Sequence, residues 1–228
     1  MTLVKTSINR RSFLKASTLA GGGLLLSFSW LAGWAEEFDN NKPLPQEWFE
    51  LNSYIKIGPD GSVTLLSPNP EFGSNIKTSM PMILAEELDI DWKNVTVEQA
   101  DFYPERFERQ FTGGSQAIRQ GWKPLRTAGA AARRMLIMAA AKTWNVPESE
   151  ITTEAGTLVH AASGKKAGYG EMASLASKQP VPQEVTFKNI NNYKIIGSSV
   201  RNVEGKNIVT GKPLFAVDIK EEGMLTAM

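Results

Sequence analysis

Two short glycine-containing loops each precede a helix-forming stretch of the sequence, and together they could bind a phosphate-bearing ligand. The first loop covers residues 71–78 and the second covers residues 111–116. Glycine lets a ligand come close to the backbone, while the free N–H groups and positive dipole of a helix N-terminus favour an anion. The pair therefore suggests a bound nucleotide or pyrophosphate. The alternative is two ordinary turns with helix caps at Ser115 and, less favourably, Thr78.

The composition excludes several other kinds of site. The chain of 228 residues contains no cysteine and one histidine, His160. It therefore cannot form a disulfide, a zinc–thiolate site or an iron–sulfur centre of its own. One imidazole does not supply a multi-histidine metal site, and Ser-His-Asp catalysis is disfavoured. We assign His160 no role and expect it at the surface or as a capping residue.

Two further classes of ligand are not supported. The formal net charge of +1 does not produce the positive field that nonspecific nucleic-acid binding needs, so no nucleic-acid partner is expected. Neither loop matches a Walker A or a GxGxxG motif, which leaves ATP and nicotinamide cofactors without support.

Clustered charges elsewhere are interpreted as solvated. Arg133 and Arg134 lie on the basic side of a predicted helix, where solvation is favoured over contact with phosphate or a partner. An acidic cluster at or beyond a helix end is expected to form a solvated face rather than to bind a cation. Its members are Glu86, Glu87, Asp89 and Asp91.

The elements expected to position the two loops give an α+β pattern. Alternating residues around the turn at 59–61 predict a hairpin over 54–66. Apolar periodicity predicts helices over 76–88 and 118–144, and the small residues of the second imply close packing. Pro81 is expected in the first turn of the first helix, and Pro124 is expected to kink or split the second.

Shorter elements complete the pattern. A strand is predicted at 95–98, and a hairpin over 151–160 that turns at Ala155 and Gly156. A short helix is expected from Tyr169 or Glu171 to Ser177. Mixed strand signals follow over 185–196, and a turn at 209–212 leads into an alternating strand that ends at Ile219.

The first 35 residues have the features of an export signal. An uncharged run over 16–34 follows four basic residues, and no acidic residue occurs before Glu36. The string 9–15 resembles the twin-arginine motif read by the twin-arginine translocase, which exports proteins already folded. We therefore predict a signal peptide over 1–35, cleavage after Ala35, a linker over 36–52 and a periplasmic location. Cleavage would change the net charge from +1 to −3, because residues 1–35 contain four basic residues and no acidic ones. A transmembrane anchor is the alternative.

Several segments resemble, in their order and spacing, the molybdenum-binding large subunit of the xanthine dehydrogenase and aldehyde oxidase family. The likeness is closest to the isoquinoline 1-oxidoreductase β subunits. The matching segments are residues 70–78, 85–89, 112–115, 124–126, 128–133, 209–212 and 223–225. This resemblance implies that residues 53–184 form the N-terminal part of a molybdopterin-binding domain and that residues 185–228 begin an α/β hammerhead domain.

The resemblance also implies a reaction. Such enzymes insert oxygen from water at an electron-poor carbon of an aldehyde or N-heterocycle. Their cofactor is molybdopterin cytosine dinucleotide, and electrons leave through a small subunit with two [2Fe-2S] clusters, with a cytochrome c as a candidate acceptor. The residues assigned to cofactor binding in this way are Phe72, Gly73, Ser74, Asn75, Thr78, Gly113, Gly114, Ser115 and Gln116.

Two departures from the family pattern limit what the chain is expected to do. Ser74 and Asn75 replace the usual Gln-Gly pair of the first loop. The family's glutamate base belongs to a C-terminal region with no counterpart here, so no catalytic residue is assigned. We expect the chain to be an N-terminal portion that binds cofactor only with the remainder of the subunit. An inactive truncated product, or an exported noncatalytic ligand-binding or interaction domain, is the alternative.

Overall fold

The computed structural model describes residues 24–26, 54–104, 107 and 109–225. Its strands are β1 (Leu24–Leu26), β2 (Ile55–Ile57), β3 (Val63–Ser67), β4 (Val95–Gln99), β5 (Ile151–Glu154), β6 (Thr157–His160) and β7 (Lys165–Gly168). Its α-helices are α1 (Ile76–Leu88), α2 (Ala117–Trp144), α3 (Tyr169–Ala176) and α4 (Gly205–Val209). Helices combined with two small sheets confirm the predicted α+β class.

The first sheet brings the starts of the two loop segments together. Its strand order is β1-β2-β3-β4, with antiparallel pairing of β1 with β2 and of β2 with β3. β3 and β4 are parallel, with Ser67 opposite Gln99, and α1 connects them. Because parallel strands end at the same edge of a sheet, the segments that follow Ser67 and Gln99 leave it side by side.

Helices α1 and α2 pack closely through small residues, as predicted. A Cβ atom added at Gly129 would lie 2.7 Å from the Leu84 carbonyl oxygen and 2.8 Å from the Glu87 Cβ atom. Helix α2 runs unbroken past Pro124, so the predicted split is wrong. Pro81 lies in the second turn of α1, not the first, and its ring nitrogen cannot donate the helical hydrogen bond of that position.

The second sheet packs against the end of α1. Strands β5, β6 and β7 form an antiparallel meander, which confirms the predicted hairpin at 151–160. Strand β7 was not predicted, because its first residues, Lys165 and Lys166, are charged and exposed. The predicted short helix is α3, and the buried Tyr169 hydroxyl at its start donates to the Leu88 carbonyl at 2.7 Å.

The C-terminal segment differs from the prediction. Residues 185–196 contain no strand, and the strand expected to end at Ile219 is replaced by a 3₁₀ turn at Ala216–Asp218. Neither segment pairs with a described strand, so its backbone forms no ladder. Val217 is 87% exposed as a result. The hammerhead assignment of 185–228 remains a prediction.

The predicted signal peptide and linker lie outside the described residues, apart from β1. Leu24–Leu26 pairs with Ile55–Ile57 at the edge of the first sheet. Among the described helices, none combines the length and the apolar character that crossing a bilayer requires.

Candidate functional site

The two predicted loops meet beyond the ends of β3 and β4. The Thr112 hydroxyl donates to the Pro70 carbonyl at 2.7 Å. The amide nitrogen of the buried Asn69 side chain donates to the Phe111 carbonyl, also at 2.7 Å. Each bond joins residues 42 positions apart, so the fold itself brings the loops into contact.

The Gln99 side chain fastens the start of the first loop to β4. Its amide nitrogen donates to the Ser67 and Asn69 carbonyls at 2.9 and 3.0 Å. Three buried side-chain oxygens at these strand ends accept no hydrogen bond from a described residue: Ser67 Oγ, Asn69 Oδ1 and Gln99 Oε1. The strand ends therefore offer unused acceptors beside the loops.

The Gln110 side chain also connects the segment that follows β3 with the segment that follows β4. Its amide nitrogen donates to the Pro68 and Asp101 carbonyls at 3.0 and 2.7 Å, and its oxygen accepts from the Tyr103 N–H at 2.6 Å. Sequence reasoning missed Asn69, Gln99 and Gln110 because single amide residues after strands carry no motif.

The Glu71 carboxylate occupies the amides of the first loop. It accepts hydrogen bonds from the Gly73, Asn75 and Lys77 N–H groups at 2.6, 3.0 and 2.9 Å. Burial raises the pKa of Glu71, but these amide bonds outweigh it and hold the pKa below its usual value. The N-terminus of α1 is therefore already matched by an anion from its own chain.

The other assigned residues of the first loop divide into two groups. Phe72 is 62% exposed, and Gly73 and Ser74 are also exposed. Asn75 is the N-cap position of α1, in the left-handed region at φ 64°, without a side-chain capping bond. Thr78 is buried instead, and its hydroxyl accepts from the Val203 N–H at 3.1 Å. Thr78 therefore joins α1 to the C-terminal segment and neither caps the helix nor lines the exposed loop.

Two consecutive amides of the second loop have no acceptor among the described residues. Gly114 and Ser115 are exposed, with φ of 58° and 56°, and no described residue accepts a hydrogen bond from either N–H. Gln116 is the N-cap residue of α2, so Ser115 as the cap is wrong: its left-handed backbone precedes the capping position. The Gln116 side chain donates to the Gly114 carbonyl at 3.1 Å.

The surroundings of the second loop are aromatic and positive. A Cβ atom at Gly113 would lie 2.6 Å from the Phe111 ring, so the ring and this backbone are in close approach. Phe111 is 53% exposed, and the Arg109 guanidinium lies 5.0 Å from its ring centroid. The first turn of α2 contains no acidic residue. The electrostatics of this loop therefore favour an anion.

Three of the four residues of the acidic cluster at the end of α1 are buried, so the interpretation as a solvated face is wrong for Glu86, Glu87 and Asp89. Asp91 is half-buried, and its carboxylate accepts from the Lys93 N–H. Glu86 and Glu87 are 0% exposed and Asp89 is 8% exposed. The Lys188 ammonium donates to Glu86 at 2.8 Å and to Asp89 at 2.9 Å. A distant lysine makes burial of these carboxylates possible, because buried charges need partners.

Basic residues of α2 complete this buried network. The Arg126 Nε atom donates to Glu87 at 2.7 Å, and an Arg133 nitrogen lies 3.7 Å from the same carboxylate. The predicted solvation of Arg133 is therefore wrong, since its side chain is 13% exposed. Arg134 is half-exposed, and donates to the Glu184 carbonyl at 3.1 Å.

His160 is buried and held on both sides, so the surface position expected for it is wrong. It is 4% exposed, with Nδ1 2.7 Å from the Ser163 hydroxyl and Nε2 2.8 Å from a Glu150 oxygen. It fastens the turn between β6 and β7 to the start of β5.

Comparison with known proteins identifies the family. The model of the molybdopterin cofactor-binding domain family matches residues 27–212. The beta chain of isoquinoline 1-oxidoreductase from Brevundimonas diminuta is 28% identical, with 78% of this chain and 28% of the relative covered. A nicotinate dehydrogenase subunit from Pseudomonas putida is 30% identical, with 77% of this chain and 15% of the relative covered.

A third relative carries a different cofactor in its name. The membrane-bound aldehyde dehydrogenase (pyrroloquinoline-quinone) of Gluconacetobacter polyoxogenes is 28% identical, with 97% of this chain and 29% of the relative covered. The chain thus spans less than a third of the length of each of these relatives. The chain belongs to the molybdopterin cofactor-binding domain family, and the resemblance predicted from its motifs, to molybdenum-binding large subunits, is confirmed.

Proposed function

We propose that this chain is the part of a molybdenum hydroxylase large subunit that holds the phosphate-bearing portion of the cofactor. The enzyme would oxidise aldehydes or N-heterocycles, in keeping with the substrates in the names of the three relatives. Water as the oxygen source is part of the proposal. The observation that carries the proposal is the pair of free amides at Gly114 and Ser115, in a loop that Thr112 joins to the first glycine loop.

The residues of the second loop fit a phosphate-bearing ligand. Two consecutive exposed amides precede the N-terminus of a long helix, where the helix dipole favours negative charge. A Cβ atom at Gly114 would meet only the Gln116 Cγ atom, at 3.8 Å, so the backbone is open to a ligand. The unused oxygens of Asn69 and Gln99 fit the amino groups of a pterin or cytosine ring, which would be hydrogen-bond donors.

The role of this chain is to bind and orient the cofactor. When bound, the molybdenum cofactor supplies the two-electron oxidation of the substrate carbon. Gly114 and Ser115 would donate backbone hydrogen bonds to phosphate oxygens, and the Thr112 and Asn69 bonds would keep the two loops at a constant separation. The cytosine dinucleotide form of the cofactor is part of this proposal.

The partners and location follow from the same proposal. Since the chain has no cysteine, electrons would leave through clusters on a small [2Fe-2S] subunit, with a cytochrome c as the candidate acceptor. The arginine pair Arg10 and Arg11 supports export to the periplasm by the twin-arginine translocase, which carries folded proteins. Folded export is compatible with a bulky cofactor acquired before transport.

The test is the cofactor content of the protein isolated with its natural partners. Molybdenum, released CMP and pyrroloquinoline quinone are measured per folded protein. We expect equimolar molybdenum and CMP. Pyrroloquinoline quinone in place of molybdenum, or no molybdenum at all, would overturn the proposal. Molybdenum without CMP would reject the cytosine dinucleotide form alone.

A matched pair of variants tests the second loop in the same assay. Gly114→Val places a branched side chain where the ligand approaches and should lower molybdenum and CMP content together. Gly164→Val is the control, because Gly164 has a similar φ of 69° with no neighbouring atom within 4 Å and lies in the β6–β7 turn. Both variants carry the backbone strain of a valine at positive φ, and only Gly114→Val adds a steric block at the site.

A further inference from the structure

The two glycine loops differ in whether their backbone donors are available. In the first loop, the Glu71 carboxylate accepts from Gly73, Asn75 and Lys77, at distances between 2.6 and 3.0 Å. In the second loop, no described residue accepts from Gly114 or Ser115. A phosphate needs such donors to replace its lost hydration, and the Gly114 and Ser115 amides are available for this, whereas those of Gly73, Asn75 and Lys77 are already bonded.

The charge at the first loop also disfavours a phosphate. Neither helix has an acidic residue in its first turn, but the Glu71 carboxylate, which precedes α1, accepts from N–H groups at the N-terminus of that helix. The lysine within the first loop, Lys77, is paired with Glu204, and both side chains are 16% exposed. A phosphate there would face the Glu71 carboxylate, and the positive charge of Lys77 is already compensated.

The Glu71 contacts also hold a backbone shape that is otherwise unfavourable. Gly73 and Asn75 have φ of 105° and 64°, and a left-handed backbone is unfavourable for a residue with a side chain such as asparagine. Hydrogen bonds from both residues to one carboxylate stabilise this shape. These bonds stabilise the first loop with Ser74 and Asn75 at the positions where the family pattern usually has Gln-Gly.

We infer that Glu71 is a positioning residue that occupies the Gly73, Asn75 and Lys77 amides of the first loop, so that the second loop alone binds the phosphate. The first loop then presents the exposed Phe72 side chain to an uncharged part of the same ligand. This inference rests on the proposed function, because it assigns the phosphate of the proposed ligand to the second loop and an uncharged part of that ligand to the first.

The test follows backbone amides of the ¹⁵N-labelled 228-residue chain by NMR during titration with inorganic pyrophosphate. We expect saturable shifts at Gly114 and Ser115, and no shifts above those of remote amides at Gly73, Asn75 and Lys77. In Glu71→Ala, the first-loop amides lose their acceptor and should begin to respond to pyrophosphate. Glu71→Gln keeps an acceptor oxygen and should retain the loop shape with a smaller response than Glu71→Ala.

The outcomes separate the inference from the proposed function. Saturable shifts in both loops of the unsubstituted chain would overturn the inference and leave the phosphate-binding function standing. A response of neither loop would overturn the inference, because the second loop of this chain would then not bind phosphate, while the molybdenum and CMP content of the protein isolated with its partners decides the proposed function. If Glu71→Ala fails to fold, the titration of the unsubstituted chain still decides. If Glu71 only stabilised the loop, Glu71→Ala would disorder the loop and could not increase its response to pyrophosphate. A gain of response at the first loop therefore supports the inference that Glu71 occupies these amides.

Discussion

The Glu86 carboxylate and the Lys188 ammonium meet at 2.8 Å, although 102 positions separate them in the sequence. Glu86 also accepts from the backbone N–H groups of Lys194, Ile195 and Ile196. These bonds hold the segment around residues 188–196 against the C-terminal end of α1. Burial of an ionised carboxylate thus depends on a segment that the chain reaches much later.

Removing the Lys188 ammonium should destabilise the fold. Lys188→Met leaves Glu86 and Asp89 buried without their cation, and we expect a loss of about 3 to 5 kcal/mol in the free energy of unfolding. Urea denaturation measures it. Lys194→Met is the control: its exposed side chain makes no ion pair in the described residues, so a change within about 0.5 kcal/mol is expected. Equal losses in the two variants would contradict the role of the ion pair.

The same carboxylate should give stability an acid dependence. Burial raises the pKa of Glu86, but bonds from Lys188 and the Ile196 and Ile195 amides outweigh it and hold the pKa below its usual value. Its contribution is therefore full above the unfolded pKa of about 4.3 and is lost as pH falls through the lower folded pKa.

Glu86→Gln tests this dependence. Without the carboxylate, the decline of unfolding free energy below about pH 4.3 should become shallower. Denaturation curves collected from pH 3 to pH 7 measure the slope. Glu98→Gln, which removes an exposed carboxylate on β4, should keep the original slope. An unchanged slope in Glu86→Gln would show that other carboxyl groups dominate the acid dependence.

The close approach of α1 and α2 should make the fold sensitive to any side chain at Gly129. Gly129→Ala puts a Cβ atom 2.7 Å from the Leu84 carbonyl oxygen, and separating the backbones should cost about 1 to 3 kcal/mol. Gly121→Ala is the control on the same helix, because its Cβ atom meets the flexible Met80 terminus at 2.9 Å. That variant should be neutral or more stable by up to about 1 kcal/mol, from helix propensity. Thermal unfolding of both variants distinguishes a steric clash from a general intolerance of alanine.

The contact between the two loops should matter for ligand binding more than for stability. Thr112→Val keeps the side-chain shape but removes the hydrogen bond to the Pro70 carbonyl, a loss of about 1 kcal/mol. We expect weaker binding of pyrophosphate, measured by calorimetry. Thr152→Val is the control, since Thr152 is exposed and its hydroxyl lies 3.5 Å from its acceptor, the Val159 carbonyl. Unchanged binding in Thr112→Val would show that the second loop holds its shape without the first.

Export should depend on the arginine pair of the N-terminal segment. Replacing Arg10 and Arg11 with lysine should leave the precursor in the cytoplasm, because the translocase reads the two arginines together. Cell fractionation and immunoblotting measure the distribution. Replacing Lys5 with arginine is the control and should leave export unchanged. Normal periplasmic levels of the double variant, or of the unsubstituted protein in cells without the translocase, would reject the assignment.

The local pattern of residues was enough to predict most of the elements that carry the site. The hairpin around Gly61, the helix at Ile76–Leu88 and the hairpin around Gly156 follow from side-chain periodicity and turn residues close in sequence. The glycine loops were also recognisable, because each stands directly before a helical pattern. These features depend on neighbours within a few positions, and such neighbours are visible in the sequence.

Tertiary structure alone decided which groups are free to act. Sequence reasoning interpreted Glu86 and Glu87 as solvated, yet Lys188 and Arg126 from distant segments allow both to be buried. The two glycine loops look alike as sequence, but the way each backbone folds gives the first an internal carboxylate from Glu71 and leaves Gly114 exposed. Strand pairing shows the same dependence, since the alternating residues before Ile219 formed no strand without a partner beside them. Burial, charge compensation and hydrogen-bond occupancy are set by contacts between segments, and these form only when the chain has folded.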